Sequence, residues 1–124
     1  MRMRTITISA LGGLFVVLGL WAAVDSASFT DVLADFGAEN SHLVHDFGAA
    51  SIAVGACLLI AVRRTAWQAP MLVVATLWNG LHAVSHLADL GDAGSRVVGV
   101  TEAALLVGGT VLLGWLAYTS REST

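Results

Sequence analysis

A chain of 124 residues amounts to one domain, and this one is 56% apolar and only 12% charged, with a mean hydropathy of +0.79. A soluble domain this short cannot bury so much apolar surface, so lipid is the expected solvent. The net charge of −3 comes without a basic stripe, which argues against nucleic acid, and the single cysteine, Cys57, excludes an intrachain disulfide and thiol–disulfide oxidoreductase chemistry.

Crossing a hydrocarbon core of about 30 Å takes about 20 apolar residues in a helix. Four stretches meet that length, at 5–24, 41–62, 70–90 and 95–118, and they define a single four-span domain over 1–124. The start resembles a signal peptide. Its apolar run, 6–24, is longer than a typical signal core, however, so it reads as an uncleaved first span. Pro70 suits the first turn of the third helix, where a missing N–H costs nothing. Short connections at 63–69 and 91–94 make neighbouring spans antiparallel, giving an all-α, up-and-down membrane bundle. Arg2, Arg4, Arg63, Arg64 and Arg121 fall on one side and Arg96 on the other, which predicts N-in, C-in.

The first outer connection is acidic, with Asp25, Asp31, Asp35 and Glu39. Phe29, Val32, Leu33 and Phe36 recur there at helical spacing, Ser28 or Thr30 can cap and Gly37 can stop. The pattern predicts a short amphipathic helix on the outer interface, either an anchor or a lid. Small residues should mediate helix packing, because lipid gives helices no hydrophobic reason to associate. Gly48, Ala49, Ala50, Ser51, Ala53, Gly55 and Ala56 make the second span the expected centre. Gly12, Gly13, Gly19, Gly108, Gly109 and Gly114 supply similar contacts on the first and fourth spans. Cys57 reads as a small buried residue, and Trp21, Trp67, Trp78 and Trp115 as interfacial or packing residues.

All four histidines fall in two motifs, His42-Leu-Val-His45-Asp46 and Asn79-Gly-Leu-His82-Ala-Val-Ser-His86-Leu-Ala-Asp89, and the fourth span adds Glu102. Antiparallel spans place them all at the outer ends, at similar depth. At 100° per residue, Asn79, His82, His86 and Asp89 share an arc of about 80°. His45 and Asp46 flank His42, and Ala49 and Ala53 continue the His42–Asp46 face inward, which predicts that this face looks into the bundle. Ionisable groups within spans cost about 2.5–3.5 kcal/mol each on insertion scales and face partners or cavities.

Pairs at i, i+4 on two facing helices suit a transition metal (Zn, Fe, Cu or Mn), with His42, Asp46, His82 and His86 as ligands. Glu102 then serves as a supporting residue or general base; if catalytic, the metal keeps an open position near the outer surface. His45, Asn79 and Asp89 are additional candidates, with His45 and Asp89 the more peripheral. The alternatives are a single b-type haem held by two of His42, His82 and His86, proton or ion conduction, and a structural polar network in a non-catalytic assembly subunit. A homo-oligomer or larger membrane complex is compatible with each.

The run Asn40-x-His42-Leu-Val-x-Asp46-x-Gly48-Ala with the later His82-x3-His86 resembles small four-span proteins of high-GC bacteria. That resemblance covers the three C-terminal spans and implies a fold and no activity; it favours His42, Asp46, His82 and His86 over His45. A looser similarity links the histidines to seven-span membrane hydrolases that hold zinc near one leaflet, by analogy alone. Four-span multidrug exporters carry a carboxylate in the first span, and here that span has none.

Overall fold

The computed structural model describes residues 2–36 and 40–121. These form α1 (Arg2–Val24), α2 (Ser26–Leu33), α3 (Ser41–Arg63), a 3-10 turn (Thr65–Trp67), α4 (Gln68–Ala88) and α5 (Arg96–Arg121), with no strand among the described residues. All four long helices are long and apolar enough to cross a membrane, and only 17–28% of their most apolar windows is buried within the protein. Most of their apolar surface therefore needs a non-aqueous solvent. Asn40 caps α3, its side chain accepting from the Leu43 N–H at 3.2 Å. Pro70 lies in the first turn of α4, where the backbone N–H groups have no helical partner.

The closest packing joins α1 to α3. A Cβ placed on Gly19 would stand 2.6 Å from the Gly48 carbonyl oxygen, and one on Gly55 would stand 2.6 Å from that of Gly12. Gly12 faces Gly55 and Gly19 faces Gly48, so the two helices run antiparallel. The buried positions are Ile8, Gly12, Gly19 and Ala22 on α1 and Val44, Gly48, Ser51, Gly55 and Leu58 on α3. Their spacing of three, four or seven residues is the 3.5-residue period of a coiled-coil seam, and glycine lets the backbones approach closely.

This seam corrects the expected face of α3. Gly48 and Gly55 point at α1, which turns Ala49 and Ala53 to the outside, where both are exposed. His42 is turned outward with them, while Asp46 lies at the edge of that face, its side chain 67% exposed.

A second antiparallel pair, α4 with α5, is pinned by a polar contact. The Asn79 amide donates to the Leu106 carbonyl at 2.7 Å and to Thr110 Oγ1 at 2.9 Å. The Thr110 methyl lies close to Gly80, and the Asn79 amide to Gly109. The two pairs are joined at the Arg-rich end by a cluster of Ile8, Leu58, Leu72, Ala75, Leu113, Leu116 and Ala117. Arg4 reinforces that end by donating to Thr119 Oγ1 at 3.0 Å, to Ser120 Oγ and to the Leu116 carbonyl. A cation among the last carbonyls of α5 is where the helix dipole favours one. Cys57 is half-buried on α3, and Arg64 sits 5.8 Å above the Trp67 ring in the inter-span turn.

The seam makes a differential prediction. Gly19→Val should destabilise the protein by about 1–3 kcal/mol, the usual cost of overpacking. Gly13→Ala should change little, because nothing lies within 4 Å of a Cβ there. Denaturant unfolding in detergent measures both; equal losses would remove the seam as the contact joining α1 to α3.

Candidate binding cavity at the acidic end

At the end opposite the arginines, α2 folds over the bundle. Its cap is Asp25, not Ser28 or Thr30: the carboxylate accepts from the Ser28 N–H at 3.1 Å. The Ser28 hydroxyl instead accepts from Trp21 Nε1 at 2.7 Å, tying α2 back to α1. The helix ends at Leu33, and Gly37, the expected stop, lies outside the described residues, as does Glu39. Beyond it, the Gly94 N–H donates to the Asp35 carbonyl at 2.8 Å, so the segment is also fastened to the α4–α5 turn.

Phe29 shows why this helix docks. It is buried against Ala22 and Val44, meets Trp21 edge-on at 5.5 Å and 82°, and lies 5.5 Å from Phe47. From Phe47 the rings continue to Trp78 at 6.3 Å and His82 at 5.1 Å. His82 meets His86 at 4.7 Å and 77°, and His86 meets Phe36 at 4.7 Å and 79°. Aromatic pairs favour such edge-to-face geometry. Rings from four segments of chain thus line a half-open space between α3 and α4, partly covered by α2. Its volume is about 720 Å³, and Phe29, Phe36, Phe47, Trp78, His82 and His86 line it. Asn40, Asp46, Ser85 and Asp89 supply polar atoms to the same wall.

The expected four-ligand site is not assembled. His42 Nε2 and Asp46 Oδ2 stand 3.6 Å apart, but as a neighbouring pair on one helix, with their side chains 88% and 67% exposed. His82 and His86 lie among the rings beneath α2. Among the described residues, no three His, Cys, Asp or Glu side chains come together in a group able to hold a metal ion. The reading of a transition-metal protein with His42, Asp46, His82 and His86 as ligands is therefore overturned, and the cause is the rotation of α3 imposed by its glycines. The haem alternative gains no support either. His82 and His86 stand edge to face on one helix, which leaves no space for a porphyrin between them, and His42 is exposed.

The remaining candidates have other places. His86 Nδ1 is 3.6 Å from Glu102 Oε2, and both side chains are nearly buried. That nitrogen and both Glu102 oxygens make no hydrogen bond with the protein. Asn79 holds α4 to α5. Asp89 is the C-cap residue of α4, its N–H donating to the Ser85 carbonyl. His45 is exposed.

Sequence reasoning missed the aromatic wall. From the sequence Trp78 reads as an interfacial or packing residue, and neither Phe47 nor the lining role of Phe36 stands out. A signal was present: three of the four phenylalanines fall between 29 and 47, around the loop helix and the start of the second span.

Comparison of the chain with protein-family models, with curated proteins and with solved structures finds no match. The functional reading therefore rests on the cavity.

The Asp25 cap is titratable. The Ser28 N–H, above all, holds the Asp25 carboxyl below the ordinary carboxylate range. A depressed carboxylate contributes stability above its unfolded value of about 3.9 and loses that contribution as pH falls through the lower folded value. The Ser28 amide resonance should therefore shift with a midpoint below about 3.9, and the transition should vanish in Asp25→Asn. A midpoint at or above the ordinary value would remove the cap.

Proposed function

We propose that the chain is a membrane-embedded binding protein that holds a small amphiphilic molecule in the cavity under α2. In this reading the bundle is up-and-down, N-in and C-in, and the cavity opens toward the extracytoplasmic face. Five arginines on one side against one on the other support that orientation. The observation that carries the reading is the cavity itself. Its volume of about 720 Å³ lies within the 300–1,000 Å³ usual for small-molecule sites, and such sites pair apolar walls with a few fixed polar groups. Phe29, Phe36, Phe47 and Trp78 supply the apolar wall, and His82, His86, Asp46 and Asp89 the polar groups.

The roof supports the same reading. α2 is a short helix held by Phe29, by the Trp21–Ser28 hydrogen bond and by the Gly94–Asp35 contact. These few attachments let an amphiphile enter when the roof lifts, without disturbing the seam or the Arg4 end.

The test uses two substitutions at one level of α3. Ala50 lines the cavity, whereas Ala49 is exposed on the outside. Native mass spectrometry of the purified protein with a short-chain monoacylglycerol should show one molecule retained by wild type and by Ala49→Trp. Ala50→Trp should lower retention at least tenfold. Equal retention by Ala50→Trp, or none by wild type, would overturn the reading.

A further inference from the structure

We infer that the preferred occupant is a lipophilic organic cation, of the quaternary ammonium or phosphonium kind; this rests on the cavity reading above and names its ligand class. The wall presents the rings of Phe29, Phe36, Phe47 and Trp78, whose faces carry the negative part of the aromatic quadrupole and attract cations. Asp46 and Asp89 line the same space, and neither arginine nor lysine does. The chain contains no lysine, and Arg96 is the one arginine on this side of the spans. The α2 segment carries further carboxylates in sequence, Asp25, Asp31 and Asp35.

Charge and shape agree on one ligand class. A cleft lined by one sign of charge, with low-dielectric walls, concentrates the field on its interior. An anion would meet two carboxylates with no arginine or lysine in the wall to offset them. A primary ammonium needs several hydrogen-bond acceptors in place of its water. A quaternary cation donates no hydrogen bond, so aromatic faces and two carboxylates at a distance suffice for it. The apolar groups around such a cation also match a wall that is largely rings.

Tetraphenylphosphonium and tetraphenylborate are nearly alike in size and shape and opposite in charge. Equilibrium dialysis of the full chain in maltoside micelles, against protein-free micelles, measures the binding of each. Saturable phosphonium binding at one per chain is expected, at least tenfold tighter than borate. Asp46→Asn combined with Asp89→Asn should weaken phosphonium binding at least tenfold, whereas Asp92→Asn, outside the wall, should leave it unchanged. Borate binding as tight as phosphonium, or full phosphonium affinity in the double variant, would overturn the cation inference. Retention of monoacylglycerol in those cases would leave the cavity reading standing, and loss of every probe from wild type would end both. Displacement of phosphonium by added phosphatidylcholine but not phosphatidylglycerol would assign the site to a choline headgroup. Failure of both lipids to displace it would assign the site to a free cation.

Discussion

The contact on which the rest depends is the approach of two glycine backbones across the α1–α3 seam. With Gly19 on Gly48 and Gly12 on Gly55, a Cβ at Gly19, Gly48 or Gly55 would overlap a carbonyl of the facing helix, and one at Gly12 would be tightly crowded. The contact fixes how α3 is turned about its own axis. Successive residues differ by about 100°, so Phe47 and Ala49 lie on opposite flanks of Gly48. One flank meets α4 and carries Phe47, Ala50 and Asp46 into the cavity wall. The other carries His42, His45, Ala49 and Ala53 to the outside.

The cavity follows from that rotation together with the way the two helix pairs are joined. At the Arg-rich end they share a continuous cluster of apolar side chains, and Arg4 bridges α1 to the end of α5. At the acidic end the contact between α3 and α4 is made by rings, which pack around a space. Closing that space by drawing α3 toward α4 would part the glycine seam, so α2 covers it instead. The roof is held by Phe29, the Trp21–Ser28 hydrogen bond and the Gly94–Asp35 contact, and it lies above the aromatic wall. His86, in the wall, also faces Glu102 at 3.6 Å, so this pair joins α4 to α5 nearer the acidic end than the Asn79 hydrogen bonds do.

Much of the fold was legible in the sequence because apolar length is a direct physical requirement of a membrane span. The four long helices match the expected stretches to within a few residues, and a short helix occupies the acidic loop. The site was less legible because helical periodicity says which residues share a face and not which way that face points. His42, Ala49 and Ala53 do lie on one side of α3, as their spacing indicates, with Asp46 at its edge toward the cavity, but alanine does not mark the packed side. Glycine was the better guide: Gly12 and Gly19, like Gly48 and Gly55, are spaced seven apart, whereas the alanine stripe has no counterpart on α1. The i, i+4 histidines suggested ligation, yet His82 and His86 serve as two rings in an aromatic wall. The cap is Asp25 because the helix begins at Ser26, which puts Ser28 and Thr30 inside it.

The rotation of α3 is the central claim, and its most direct test leaves the protein unmodified. With methyl-labelled alanine in lipid nanodiscs, the Ala49 and Ala53 methyls should show cross-relaxation to lipid acyl chains. The Ala50 methyl should instead show it to protein aromatic protons of the cavity wall. Acyl-chain contacts at Ala50 with none at Ala49 or Ala53 would mean that α3 is turned the other way, and the cavity would not exist as described.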